Sequence, residues 1–203
     1  MKRSPRSRKA ALAQKSAALA VNVHRGDDGA FERLLEQFDG PLFRYACNLL
    51  QSSADAEEVV QDALLRAHRA LTVQYDESRC ASLALRPWLF TTVRRLASNK
   101  RRGKRQELER PMDDRAGDRH PSPGPHEDAR LDRKRQGERL QRAIDSLPAE
   151  ARELIVLRFL EEMSYAEIGK TVGATEASLR GKVFRSVALL RRLLESEGVT
   201  HAL

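Results

Sequence analysis

A polar segment between residues 106 and 136 constrains the fold of this chain more than any other feature. It reads QELERPMDDRAGDRHPSPGPHEDARLDRKRQ, with three prolines within residues 121–125 and almost no large apolar side chain. Such a composition cannot bury enough apolar surface to offset the entropy lost when a chain becomes ordered. We therefore predict a flexible polar linker here, with one folded domain on each side of it.

Apolar residues recur at helical spacing on both sides of this segment. Phe31, Leu34 and Phe38 form one apolar stripe, which Gly40-Pro41 is predicted to break before the pattern resumes. No stretch alternates convincingly with the period of two that a strand requires. The fold is therefore predicted to be all-α, with two small helical domains. The predicted organisation is a basic disordered tail (1–25), a first domain (26–105), the linker (106–136), a second domain (137–195) and a short tail (196–203).

Charge is distributed unevenly along the chain, whose formal net charge is +8. Residues 27–77 hold four Lys and Arg against eleven Asp and Glu, whereas residues 78–106 hold nine bases and no acid. An acidic block beside a basic block indicates two partners of opposite charge.

The second domain contains the pattern of a helix-turn-helix. Ser164 and Glu167 have the spacing of a capping box, Gly173 follows the first helix, and Thr175 can cap a second, basic helix. If Ile168 packs against this second helix, its opposite face points outward and can contact DNA. An ordinary helical hairpin with a solvated charged face is the alternative. The outward residues are Glu176, Arg180, Gly181, Phe184 and Arg185.

The acid-free block is predicted to form a helix that serves two purposes. Pro87 occupies a favoured first helical position, and Leu89, Phe90 and Val93 have the spacing of a buried face. The rest of the helix is cationic, which is typical of a surface that binds an anion. The basic residues predicted to face the anion are Arg94, Arg95, Lys100, Arg101 and Arg102.

A third predicted helix, starting near Ser52, has an acidic outer face. Asp55, Glu58 and Asp62 follow i, i+3, i+7 spacing, with Gln61 beside them. Two interpretations remain open, a merely solvated surface and a docking face for a basic partner.

The sequence contains no recognisable catalytic, metal or cofactor site, so we expect binding rather than catalysis. The five histidines lack metal-ligand spacing, and GKT at 169–171 lacks the preceding glycine of a phosphate-binding loop. Cys47 and Cys80 are too few for a disulfide framework, although a redox role stays open. No apolar run approaches about 18 residues and the basic N-terminus does not resemble a signal peptide, so no membrane insertion and a cytoplasmic location are expected.

Three stretches together resemble the extracytoplasmic-function sigma factors of the sigma-70 superfamily. AFERLLEQFDGPLFRYACNLLQSSADAEEVVQDALLRAHRAL resembles the start of their promoter-melting domain, region 2, and RPWLFTTVRRLASNKRR resembles its arginine-rich helix. LPAEARELIVLRFLEEMSYAEIGKTVGATEASLRGKVFRSVALLRRLL resembles their helix-turn-helix domain, region 4. The resemblance implies a factor that binds core RNA polymerase, through the β′ clamp coiled coil and the β subunit, and promoter DNA. Many members are also held by an anti-sigma factor, although nothing in this sequence identifies one.

The resemblance also implies a role for particular residues. The family's polymerase-docking helix matches Asp55, Glu58, Gln61 and Asp62. The reader of the melted −10 element matches the 72–86 loop and Trp88, Thr91, Arg94, Arg95, Ser98, Asn99, Lys100, Arg101 and Arg102. The reader of the −35 duplex matches Thr175, Glu176, Ser178, Arg180, Gly181, Lys182, Phe184 and Arg185.

This sequence departs from the family pattern at four positions. Arg95 stands where Asn is frequent, and Asn99 where Asp is frequent. Lys182 stands where Arg is common, and its ammonium group can hold a phosphate but cannot reproduce the planar fork of a guanidinium. Gly181 should weaken its helix by up to ~1 kcal/mol relative to alanine and could permit close approach to DNA.

Two other classes of protein were weighed against a sigma factor. A helix-turn-helix regulator that binds duplex DNA as a dimer without entering polymerase needs neither the acidic helix nor the arginine-rich helix. A nuclease would need a set of metal-binding carboxylates or histidines, which the sequence lacks.

Overall fold

The structure, a computed structural model, describes residues 16–108 and 129–196. All regular elements in these two ranges are helical, as the sequence predicted. They are α1 (16–25), α2 (Ala30–Leu50), α3 (Ser53–Arg69), α4 (Glu77–Ser82), α5 (Leu85–Leu108), α6 (Ala129–Asp145), α7 (Ala149–Ile155), α8 (Tyr165–Val172) and α9 (Glu176–Ser196). Helix α3 continues into a π-helical turn, Ala70–Gln74, and α7 into another, Val156–Leu160.

The predicted tail at 1–25 is wrong for its last ten residues, which form α1. Leu19, Ala20 and Val23 are buried in the first domain. His24 Nδ1 donates to the Leu71 carbonyl over 2.9 Å, and Arg25 lies 2.5 Å from the Glu77 carboxylate. The segment is only weakly apolar, so its order depends on contacts with residues about 50 positions away. Residues 1–15 and 197–203 lie outside the described ranges.

Both ends of the predicted linker are helical, because α5 runs to Leu108 and α6 begins at Ala129. The proline-rich centre of the linker, 109–128, lies outside the described ranges. The predicted linker, 106–136, was therefore too long at both ends.

Helix α2 runs through Gly40-Pro41 without a break, contrary to the prediction. A proline inside a helix costs about 3 kcal/mol through a steric clash and a lost hydrogen bond. Phe38, Leu42 and Tyr45 flank the proline and are buried, and each such burial contributes about 1.5–3 kcal/mol. Tertiary packing therefore outweighs the local preference of proline.

The first domain packs α1 to α5 around a continuous apolar core. The inner face of α5 lies against α2 and α3, as its apolar spacing predicted. The bulkiest fully buried side chains of this domain are Leu34, Leu42, Tyr45, Leu71, Leu85, Leu89 and Phe90.

The second domain contains the helix-turn-helix that the sequence predicted. Ser164 and Glu167 form the capping box, and Gly173 ends α8 with a φ of 74°. Ile168 is buried with Leu179 of α9. A Cβ at Gly169 would lie 2.7 Å from the Ala174 carbonyl oxygen, so the turn can close only over a glycine.

The two domains pack directly against each other. Helix α8 of the second domain lies on α5, and α7 lies near α2. The buried apolar residues of the two domains accordingly form one continuous cluster. We call this arrangement the closed form.

Gly169→Ala should destabilise the second domain, whereas Gly181→Ala should stabilise it. Alanine at 169 meets the Ala174 carbonyl, and overpacking of this kind costs about 1–3 kcal/mol. At 181 the nearest atom to a new Cβ is the Arg185 guanidinium at 3.5 Å, so alanine gains helix propensity of up to ~1 kcal/mol. Denaturant unfolding followed by circular dichroism measures the free energy of unfolding of both variants. Equal changes in the two variants would contradict the close contact of Gly169 with the Ala174 carbonyl.

Candidate nucleic-acid and protein interfaces

The acidic face of α3 is as the sequence predicted, with Glu58 and Gln61 exposed and Asp55 and Asp62 half-buried. Val59 and Ala63 are among the residues buried on the opposite side. The helix starts where expected, because the Ser52 hydroxyl accepts a hydrogen bond from the Asp55 amide over 3.4 Å. Folding therefore presents a stripe of carboxylates and an amide on one outer surface.

Leu65 lies on the same face as these acids and was missed by the sequence analysis. It is three residues after Asp62 on α3, and its side chain is 70% exposed. Asp62 itself makes two hydrogen bonds of 3.1 Å with Arg66. The helical spacing from Asp62 could have identified Leu65 as an apolar centre within a polar rim, which is the composition of many protein interfaces.

Lys100, predicted to contact DNA, lies against α3 instead. Its Nζ is 2.5 Å from a Glu58 oxygen and 3.5 Å from an Asp55 oxygen. The hydrogen bond with Glu58 raises the pKa of Lys100, against the opposing effect of partial burial. This lysine therefore links the arginine-rich helix to the acidic face.

Three further cations of α5, Arg95, Arg101 and Arg102, are open to solvent. Arg95, Asn99, Arg101 and Arg102 are exposed, and Ser98 is half-buried. Arg102 donates a hydrogen bond to the Asn99 side chain, a neutral partner. This part of α5 keeps its positive charge available to a ligand.

The predicted loop at 72–86 contains the short helix α4 and brings an aromatic pair together. The Tyr75 and Trp88 rings meet edge to face, with centroids 6.4 Å apart. The Arg79 guanidinium lies over the Tyr75 ring, 5.5 Å from its centroid. Trp88 was predicted to be a site residue, whereas Tyr75 and Arg79 were not singled out, because only the tertiary fold places them beside it.

Two other predicted residues of α5 contact the second domain and are only partly buried. Thr91 Oγ1 donates to the Pro87 carbonyl over 2.7 Å and lies 3.5 Å from the Lys170 carbonyl. Arg94 Nε donates to Glu153 over 2.8 Å. Burial lowers the pKa of Arg94, but the charge and hydrogen bond of Glu153 outweigh burial and hold it above its ordinary value.

Helix α9 exposes the face that the sequence predicted. Phe184 is 76% exposed, an unusual position for a large aromatic side chain, and Arg185 is exposed beside it. Arg180 is exposed too, with its guanidinium 5.2 Å from the centre of the Tyr165 ring and 3.5 Å from Glu176.

The start of α9 is held by local polar contacts. Thr175 Oγ1 accepts a hydrogen bond from the Ser178 amide over 3.4 Å. Lys182 Nζ lies 2.5 Å from Glu150, and this hydrogen bond lowers the pKa of the Glu150 carboxyl. The side chain of Lys182 thus connects α9 to α7.

Within 16–108 and 129–196, His, Cys, Asp and Glu side chains form no group of three that could hold a metal ion. In the same two ranges no helix combines the length and apolarity that crossing a bilayer requires. Cys47 is half-buried and Cys80 buried, both as free thiols, and burial raises the pKa of each.

Two family profiles match the chain, one to each domain. The profile described as sigma-70 region 2 matches residues 34–107, and that described as sigma-70, region 4 matches residues 137–190. The ECF RNA polymerase sigma factor SigL of Mycobacterium tuberculosis is 32% identical over 167 residues, which cover 82% of this chain and 90% of SigL.

Two solved structures share the fold. CnrH, in complex with the cytosolic domain of CnrY, matches with a TM-score of 0.61 and 24% identity, over 89% of this chain and 97% of CnrH. RpoE of Bartonella quintana, in complex with the anti-sigma factor NepR, matches with a TM-score of 0.64 and 22% identity, over 82% of this chain and 98% of RpoE.

Lys100→Met should lower the free energy of unfolding more than Arg102→Met does. Lys100 is mostly buried beside two carboxylates, and such a pair contributes about 0.5–1 kcal/mol, whereas Arg102 contacts only an amide. Denaturant unfolding at low and at 1 M salt measures the difference, which should shrink at high salt. An equal decrease in the free energy of unfolding for both substitutions would show that the contact of Lys100 with α3 does not stabilise the domain.

Proposed function

Because this chain belongs to the sigma-70 family, as one of its extracytoplasmic-function RNA polymerase sigma factors, we propose that its two domains divide promoter recognition between them. In this proposal α3 docks on core polymerase, the exposed end of α5 contacts the melted −10 strand, and α9 reads the −35 duplex. Sigma factors initiate transcription and are not enzymes. The chain is proposed to act in the cytoplasm, where polymerase and promoters are found.

The observation that carries this proposal is the separation of charge on the first domain. Its α3 presents carboxylates around the exposed Leu65, while its α5 presents exposed arginines. A protein partner with a basic rim fits the first surface, and a nucleic acid fits the second. A helix-turn-helix regulator that acts without polymerase has no use for the α3 surface.

The docking face on α3 is suited to the β′ clamp coiled coil. An exposed leucine within a polar rim can be desolvated at the centre of an interface, where most binding energy is concentrated. The rim is proposed to consist of Asp55, Glu58, Gln61 and Asp62. A contact between the second domain and the β subunit completes the proposed polymerase interface.

The −10 strand is proposed to bind where α4 meets α5. Tyr75 and Trp88 are half-buried against the core, and unstacked bases are proposed to pack on the exposed parts of their rings. Each base stacked on an aromatic contributes about 1–3 kcal/mol. The exposed Arg95, Arg101 and Arg102 can hold the backbone of the strand, with Ser98 and Asn99 as hydrogen-bonding groups beside them.

The −35 duplex is proposed to lie on α9. Arg180 can make a bidentate contact with guanine, and Phe184 can pack on a thymine methyl group in the major groove. Lys182, Arg185, Thr175 and Ser178 are proposed to contact phosphates. Gly181 leaves open space for the DNA backbone, since no atom other than the Arg185 side chain lies near it among the described residues.

An anti-sigma factor is a further proposed partner. RpoE of Bartonella quintana shares this fold and was crystallised with the anti-sigma factor NepR. The observation supports a partner of this class without identifying one.

Leu65→Lys should weaken binding to core polymerase at least about tenfold, the effect of losing an apolar contact at an interface centre. Val73→Lys is the matched control, because Val73 is also an exposed apolar side chain but lies in the π-helical turn after α3. Fluorescence-detected assembly with purified core measures both, and circular dichroism checks the fold. Equal binding by the two variants would refute the docking face.

Arg180→Ala should relax base preference in the −35 element and lower duplex affinity by about 1–3 kcal/mol, the value of a bidentate contact. Arg191→Ala, further along the exposed side of α9, is the control. In-vitro transcription with core polymerase, on templates with single −35 substitutions, measures selectivity. An unchanged preference in Arg180→Ala excludes base reading by this residue, and no transcription by the unaltered protein excludes the sigma-factor function as a whole.

A further inference from the structure

Glu153 of the second domain forms a buried polar contact with the first domain. Its Oε1 accepts a hydrogen bond of 2.6 Å from the Tyr45 hydroxyl and one of 2.8 Å from Arg94 Nε. Glu153 is 8% exposed and Tyr45 is fully buried. Burial, followed by the charge of Glu153, raises the pKa of Tyr45, so the hydroxyl stays a donor.

A second group of contacts surrounds Glu161. This carboxylate is 3% exposed and accepts hydrogen bonds from Arg44, 3.2 Å from Nε and 3.5 Å from Nη2. Arg86 donates to the Glu161 carbonyl and lies 3.9 Å from the Glu167 carboxylate. Three arginines of the first domain therefore each face a carboxylate of the second domain.

Two of these arginines are on the same helix as the proposed DNA surface of α5, and the third is on α2. Arg86 and Arg94 are on the helix that exposes Arg95 and Arg101, and Arg44 approaches from α2. A guanidinium fork pairs with a carboxylate or with a phosphate through the same hydrogen-bond geometry. The carboxylates of α7, α8 and the turn between them therefore occupy positions that phosphates can take.

We propose that Arg44, Arg86 and Arg94 form a binding surface for the backbone of the melted promoter strand, which Glu153, Glu161 and Glu167 occupy in the closed form. The second domain then competes with DNA for the first. Separation of the domains releases the arginines from these carboxylates and frees Thr91 from the Lys170 carbonyl. The side chains of Arg44 and Arg94 are already 53% and 42% exposed in the closed form, so their masking is by charge pairing rather than by burial. The identity of the anion rests on the proposed function, whereas the masking of the arginines does not.

The closed form contains polar groups that favour its opening. Asn48 Oδ1 and Arg152 Nε are buried at the contact of α2 with α7 and have no hydrogen-bond partner among the described residues. Arg152 is half-buried, and burial lowers its pKa. Burial also raises the pKa of Glu161, more than Arg44 lowers it. All three groups regain hydration on opening, so the contact is separable.

The −35 surface is not masked in the closed form. Arg180, Phe184 and Arg185 stay exposed, whereas Arg94 is paired with Glu153 and Thr91 lies beside the Lys170 carbonyl. The closed protein is therefore expected to bind duplex DNA through α9 and to bind single-stranded DNA weakly.

Glu153→Gln in the full chain tests the proposal, with Glu150→Gln as the matched control. Glu150 is on the same helix but pairs with Lys182 of its own domain. Without polymerase, Glu153→Gln should raise the radius of gyration in small-angle X-ray scattering and bind a fluorescein-labelled, mixed-sequence single-stranded DNA about tenfold more tightly. Its salt dependence should steepen by about 2 in the slope of log affinity, since each of three phosphate contacts adds about 0.7.

Exchanging the two charges of the Arg94–Glu153 pair distinguishes the effect of opening the domains from the effect of losing the arginine. Arg94→Glu with Glu153→Arg should restore the compact radius of gyration, because the ion pair is re-formed in reverse, and should bind the oligonucleotide less tightly than Glu153→Gln. Arg94→Ala alone should open the chain with a smaller gain in affinity than Glu153→Gln shows, because Arg44 and Arg86 are released while Arg94 is lost.

Two results would overturn the proposal. One is a Glu153→Gln chain that matches Glu150→Gln in both radius of gyration and oligonucleotide affinity. The other is a Glu153→Gln chain whose radius of gyration rises while its affinity for single-stranded DNA does not. Both measurements are made without core polymerase, so failure of the sigma-factor function appears separately, as absence of transcription.

Discussion

The packing of the inner face of α5 is the interaction on which the rest of this structure depends. Leu89, Phe90 and Val93 lie in the core against α2 and α3, and burying three such side chains contributes several kcal/mol. This packing fixes the rotation of α5 about its axis. One of its remaining sides consequently meets α3 through Lys100, another meets the second domain through Arg94, and a third stays open as the cationic surface.

The contact between the domains combines apolar packing with a polar network that is only partly satisfied. A buried carboxylate requires partners, and Glu153 has two good ones in Tyr45 and Arg94. Arg152 and Glu161 are less well compensated, because the effect of burial on the pKa of each group exceeds the opposing effect of its charged partners. Such an interface holds two domains together without making their separation prohibitive, which suits a protein whose DNA-binding surface is proposed to be used only after the domains part.

Lys100 connects the acidic face of α3 with the cationic helix α5. Lys100 neutralises part of the acidic face on α3 while standing at the start of the cationic end of α5. A basic partner that engages Glu58 competes with Lys100, which would then be free to face DNA. Docking and strand binding are therefore expected to affect each other through electrostatics over a short distance.

Local patterns in the sequence determined the helices other than α1 and α4, the capping box at Ser164, the helix-turn-helix and the acidic stripe on α3, because each depends on residues three or four positions apart. Only the tertiary structure decided that Pro41 stays within a helix, that residues 16–25 fold, and that Lys100 faces α3. It alone placed Arg94 beside Glu153, 59 positions away in the chain. Contacts of this kind depend on which surfaces the buried core brings together, and no short-range spacing encodes them.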